Sequence, residues 1–259
     1  MIKERISTLE IVMVSLCIFV IAWISDNSIL AMIEPLVWII PVFFIQWQSA
    51  CDRLAYKYDK RMINAFFVVF IVYVVIQLYW RFFTPYHEYT ELGVVHLIST
   101  LPIFLAYLFK VKLSDLNWNI TIKNIVFVVI MFVILREIPI FVAMGRGKEI
   151  FADITSLGFI KSFVIHLLYP SIVEEVIFRG YLLTGLISIG FKEDVSNVIQ
   201  SLIFGFIHII GKGELSVYIA MSCFVQVYIG FIFGRIYLNT KSLTPSLLLH
   251  ALFDAYSVM

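Results

Sequence analysis

Charge is scarce in this chain. Of its 259 residues only 14% are Asp, Glu, Lys or Arg, against roughly a quarter in soluble proteins, while 61% are hydrophobic and 16% aromatic. That balance excludes an ordinary water-soluble domain. The formal net charge is +1 and no basic run with interleaved aromatics occurs, which argues against nucleic acid as a partner. Cysteine is rarer still: Cys17, Cys51 and Cys223 are too few and too scattered for a disulfide framework, and no Cys-x-x-Cys pair offers a zinc or redox site. There is no His-Glu-x-x-His zinc helix and no Gly-x-Ser-x-Gly nucleophile elbow. The Gly/Lys clusters at 145–148 and 211–214 lack the Walker spacing and read as loops. Nor does any Ser/Pro-rich linker, charge block or internal repeat divide the sequence, so residues 1–259 are expected to form a single integral membrane domain.

Apolar stretches long enough to cross a bilayer recur near 10–25, 29–46, 62–83, 92–110, 122–144, 158–188, 195–210, 215–238 and 243–258. The fold class that follows is all-α, a polytopic membrane helix bundle of about eight or nine transmembrane helices. The first stretch has the basic front of a signal peptide but no small-x-small cleavage site, and is read as a retained span. Lys3 and Arg5, then Arg53, Lys57, Lys60 and Arg61, then Lys110, Lys112 and Lys123 fall in alternate connections, which predicts a cytoplasmic N-terminus. Arg146, Lys148 and Lys161 fall on the other side. Trp47, Tyr56, Tyr79, Trp80 and Trp118 lie near span ends, where an interfacial aromatic belt is expected.

The informative residues are the polar ones inside the apolar runs. Glu174, Glu175 and Arg179 facing lipid would together cost roughly 8–10 kcal/mol, so they must face protein or a watery cavity. At about 100° per residue Glu175 and Arg179 fall within about 40° and pair, leaving Glu174 free and offset toward Phe178. A second stripe runs through Asn197, Ser201, Phe204 and His208, and a third through Ser246, His250, Asp254 and Ser257. The i, i+4 spacing of His250 and Asp254 lets the carboxylate orient the imidazole, or join it in binding a metal or a substrate oxygen. Ser222, Gln226, Gly230 and Gly234 read as a small-residue packing face. His87, His96 and His166 lack a partner pattern and read as structural or interfacial, while Arg136 and Glu137 need partners on other helices and are expected to border the same cavity.

Glu174, Glu175, His208, His250 and Asp254 suit activation of water by a carboxylate, or by a carboxylate-bound metal, with histidines stabilising an oxyanion. Peptide hydrolysis within the bilayer is the natural candidate. Glu174-Glu175-Val-Ile-Phe-Arg179, Phe204-Gly-Phe-Ile-His208 and His250-Ala-Leu-Phe-Asp254 occur in this order. The trio resembles the CAAX protease and bacteriocin-processing family of intramembrane endopeptidases, over roughly residues 158–258 as a catalytic core. The first 150 residues add only hydrophobicity.

The resemblance implies that Glu174 activates water with help from His208, that His250 and the residue at 254 support the oxyanion, and that Glu175, Arg179 and Phe204 support the site. Prenyl-processing members carry Asn where this chain has Asp254. An ionised Asp cannot donate to an oxyanion, so Asp254 is expected to orient a protonated His250. Bacterial-type members commonly carry this acid and are linked to peptide maturation, bacteriocin immunity and secreted signals. The expectation is therefore a protease of the bacterial cell membrane with a peptide or membrane-protein substrate. Whether a cofactor takes part stays open. Glu174, His208, His250 and Asp254 offer a site for zinc or another divalent metal, whereas Arg179 opposes a dication and favours a metal-free route. Two rival functions remain: a non-catalytic immunity or scaffold protein of this fold, and a proton-coupled transporter, which the lack of an internal repeat disfavours.

Overall fold

The computed structural model describes residues 6–24, 38–45, 59–83, 93–137, 157–210 and 216–257. Among these residues every regular element is helical and no strand occurs. The helices are α1 (Thr8–Ile24), α2 (38–45), α3 (Arg61–Phe83), α4 (Val94–Thr100, running on as a 3-10 stretch Leu101–Phe109) and α5 (Ile122–Phe132). They continue with α6 (Leu157–Ser188), α7 (Glu193–Ile207), α8 (Val217–Thr240) and α9 (Leu243–Ser257).

Among the described residues three stretches are long and apolar enough to cross a membrane: Arg61–Trp80, Leu157–Ser188 and Ile219–Thr240. Shorter apolar helices span Thr8–Ile21, Val94–Phe109 and Ile122–Leu135. Helix α3 shows how such a stretch divides its surface. Phe67, Ile71 and Val75, one turn apart, are each more than half exposed, whereas Met62, Ala65, Phe66, Val69 and Tyr73 are buried against α4 and α6. A helix that is apolar all round can show one face to lipid and the other to protein. Helix α7 is built the opposite way: its buried face carries Ser196, Asn197, Gln200 and Ser201.

Helix α6 is interrupted at Tyr169, whose φ of −161° and ψ of 132° are extended. Pro170 follows, and a residue before proline is pushed out of the α region. Beyond the break, Val176–Leu183 is π-helical, and Thr184 Oγ1 donates to the Arg179 carbonyl at 2.9 Å, a reach of five residues.

Among the described residues the buried apolar side chains form two clusters. One joins α3, the 3-10 stretch and α6; the other joins α1, α5 and α8. Helices α7 and α9 stand between them. Helix α7 can lie against α8 because the glycines leave room: a Cβ on Gly234 would fall 1.9 Å from Asn197 Oδ1, and one on Gly205 would fall 2.2 Å from Val227 Cγ2. A buried ion pair secures α1 to this unit. Glu10 forms a capping box with Ser7, accepting from the Ser7 N–H at 3.0 Å while Ser7 Oγ accepts from the Glu10 N–H at 3.3 Å. The same carboxylate pairs with Arg235 of α8 and accepts from Asn197 Nδ2 of α7 at 3.1 Å.

Candidate active site

Consecutive residues of a helix point about 100° apart, so Glu174 and Glu175 face different surroundings. Glu175 is wholly buried. Its Oε1 accepts from Arg179 Nη1 at 2.9 Å, one turn along the same helix, and from His250 Nδ1 of α9 at 3.0 Å. Arg179, also wholly buried, donates through Nη2 to the Gly230 carbonyl at 3.2 Å. Its guanidinium carbon lies 4.6 Å from the ring centre of Phe204 and 5.2 Å from that of Phe233. The arginine is thus held by one carboxylate, one carbonyl and two aromatic faces, as a cation removed from water requires.

Glu174 turns toward a cavity of about 450 Å³. Its Oε1 accepts from the Tyr73 hydroxyl of α3 at 3.2 Å. Its Oε2 is buried without a hydrogen-bond partner, 3.7 Å from His208 Nε2 and 3.6 Å from His250 Nε2. The opposite nitrogens fix both imidazoles. His208 Nδ1 lies 2.6 Å from the Phe204 carbonyl and His250 Nδ1 lies 3.0 Å from Glu175, and since each partner can only accept, each Nδ1 carries a proton. Both Nε2 atoms are left to face one carboxylate oxygen. Phe204 backs the two rings, 4.5 Å from His208 and 5.9 Å from His250 between centres, and meets Phe178 edge-on at 5.0 Å.

Asp254 joins from α9, with Oδ2 3.4 Å from His250 Nε2 and accepting from Ser171 Oγ at 3.3 Å. His250 therefore meets a carboxylate on each nitrogen, Glu175 on Nδ1 and Asp254 on Nε2. The expected partner, Asp254, is joined by one that the helical arithmetic had reserved for Arg179.

Glu174, His208, His250 and Asp254 all line the cavity, with Glu175, Arg179 and Phe204 behind them. Tyr73, Gln77, Tyr169 and Trp38 line it too, and sequence reasoning did not single them out. A signal for the first two was present: Tyr73 and Gln77 are one turn apart in a long apolar run. Two residues read as structural also reach the cavity, His166 and Gln226. Asn197 and Ser201 turn elsewhere, toward Glu10 and Gln200, and Ser246 donates to its own helix at Leu243. His87 and the side chains of Arg136, Glu137 and Ser257 fall outside the described residues.

Four of these side chains were the expected ligands if a metal is bound. Glu174 Oε2 stands 3.7 Å from His208 Nε2 and 3.6 Å from His250 Nε2, Asp254 Oδ2 stands 3.4 Å from His250 Nε2, and among the described residues no group of three or more His, Cys, Asp or Glu is arranged to hold a metal ion. The roles proposed for these residues use their side chains alone.

Residues 156–256 match the family model described as type II CAAX prenyl endopeptidase Rce1-like. The matched segment holds all three motifs, while Trp38, Tyr73, Gln77 and Leu135 line the cavity from outside it. No curated protein and no solved structure matches the chain.

Proposed function

We propose that this protein is an intramembrane endopeptidase of CAAX-protease type that hydrolyses a peptide or membrane-protein substrate with water activated by Glu174. The observation that carries the reading is the Glu174 Oε2 atom, buried, without a hydrogen-bond partner, and faced by two imidazole Nε2 atoms at 3.6 and 3.7 Å. Those separations are too long for a direct hydrogen bond and suit a shared water.

In this mechanism Glu174 Oε2 takes a proton from the water, and the resulting hydroxide attacks the scissile carbonyl. His250, between the carboxylates of Glu175 and Asp254, is an imidazolium whose Nε2–H donates to the developing oxyanion. His208, its Nδ1 proton held by the Phe204 carbonyl, presents a neutral Nε2 that steers the water. The proton held by Glu174 passes to the leaving amine as the tetrahedral intermediate collapses, which restores the carboxylate. Arg179 fixes the charge of Glu175 and with it the orientation of His250.

The bilayer setting completes the proposal. In this reading the shorter apolar helices share the membrane of a bacterial cell with α3, α6 and α8 in a bundle of eight or nine spans, and the early Lys/Arg clusters favour a cytoplasmic N-terminus. Accessibility of an N-terminal tag in sealed vesicles checks the orientation. The activity is tested by incubating purified protein in detergent with a library of apolar synthetic peptides and reading cleavage by mass spectrometry. Wild-type protein is expected to produce defined cuts and Glu174→Gln none. Equal cutting by both would end the protease reading.

A further inference from the structure

The residue that fixes Glu174 lies outside the Rce1-like segment. Tyr73 and Gln77 stand one turn apart on α3 and both line the cavity. Gln77 Nε2 donates to the Tyr169 hydroxyl at 2.7 Å, the Tyr169 and Tyr73 hydroxyls are in hydrogen-bonding contact, and the Tyr73 hydroxyl lies 3.2 Å from Glu174 Oε1. Both phenols are buried, each 4% exposed. An amide N–H can only donate and a carboxylate can only accept, so the direction of every bond is set: Gln77 to Tyr169, Tyr169 to Tyr73, Tyr73 to Glu174. Each phenol accepts once and donates once. Bonds aligned in this way polarise one another and strengthen the last of them.

The two ends of the Glu174 carboxylate are therefore unequal. Oε1 is tethered and Oε2 is not. A carboxylate rotates freely about its last torsion unless one oxygen is held, and a single donor on Oε1 keeps Oε2 turned toward the two Nε2 atoms.

We infer that Tyr73 is the positioning residue for Glu174, set in place by Tyr169 and Gln77. The inference rests on the protease reading for its catalytic meaning but not for its geometry. Phenylalanine would fill the same volume in the α3–α6 packing, so a purely space-filling Tyr73 would tolerate loss of its hydroxyl.

The experiment has two arms. Infrared difference spectra of purified wild type against Glu174→Gln locate the Glu174 carboxylate band, and Tyr73→Phe is expected to shift it. Tyr169→Phe is expected to shift it in the same direction by less. Kinetics with a peptide that the library shows to be cut should give a kcat lowered about 10- to 100-fold by Tyr73→Phe at unchanged KM, the value of one hydrogen bond to a charged group. Tyr169→Phe should give a smaller loss, and Glu174→Gln combined with Tyr73→Phe no further loss beyond Glu174→Gln. A band unmoved by both phenylalanine variants, or wild-type kcat in both, overturns the inference. If no peptide is cut by the wild type, the protease reading fails, and the infrared arm still decides whether Tyr73 holds Glu174. If Tyr73→Phe does not fold, Tyr169→Phe carries both arms alone.

Discussion

Exchanging Glu175 for glutamine preserves its outline and removes one negative charge, at a point where Arg179 has no other carboxylate within ion-pairing distance among the described residues. What remains for the guanidinium is the Gly230 carbonyl at 3.2 Å and the faces of Phe204 and Phe233. Breaking a buried pair from one side costs about 3–5 kcal/mol. Glu174→Gln is far milder, since Glu174 lies on the cavity wall and its Oε1 keeps the bond from Tyr73, a change of about 1 kcal/mol. The two variants should differ by roughly 2–4 kcal/mol, or about 4–16 °C in thermal midpoint for a chain of this size. Purified variants in one detergent, melted side by side with tryptophan fluorescence as the readout, measure that gap. A third variant sharpens the test: Glu175→Leu with Arg179→Met removes both charges, so stability should return to within about 1–2 kcal/mol of wild type. Turnover should not return, because His250 loses the acceptor on Nδ1. Coincident midpoints for Glu174→Gln and Glu175→Gln would refute the division of labour between the glutamates.

Other outcomes follow from the same geometry. His208→Ala and His250→Ala should each be nearly inactive in the peptide assay, and adding Glu174→Gln to either should subtract little more, as for groups that act as one unit. Activity should survive dialysis against a chelator; loss that added zinc restores would show that the imidazole–carboxylate cluster opens to hold an ion. Gly234→Ala places a methyl 1.9 Å from Asn197 Oδ1 and 2.5 Å from Gln200 Nε2, and should lower the thermal midpoint by the equivalent of about 1–3 kcal/mol.

What the sequence made legible was governed by short-range arithmetic. The helical class follows from apolar run length, and the pairing of Glu175 with Arg179 follows from a spacing of four along one helix. The expense of ionised groups in lipid brings Glu174, His208 and His250 to a common cavity. Contacts between helices follow no such rule. That Tyr73 would reach Glu174, or that Glu175 rather than Asp254 alone would hold His250, depends on how α3 and α9 are rotated and displaced against α6. Helix length alone does not settle what crosses the membrane: the polar stripe of α7 belongs to a 15-residue helix that begins with Glu193 and Asp194, shorter than the roughly 17–25 residues of a membrane span. Nothing in the local spacing hints that Glu10 is buried, since its partner Arg235 lies 225 positions away.

That distant partner changes how the protein must be handled. From Glu10 a line of hydrogen bonds passes through Asn197 and Gln200 to the Gly230 carbonyl, which also receives Arg179, and so arrives behind His250. An affinity tag or deletion that draws α1 away would take Glu10 from the buried Arg235 and would loosen a scaffold that ends at the reacting groups. Inactivity of a protein shortened at its N-terminus would then report a broken strut rather than a lost substrate contact. Mapping by truncation should therefore give way to point substitution.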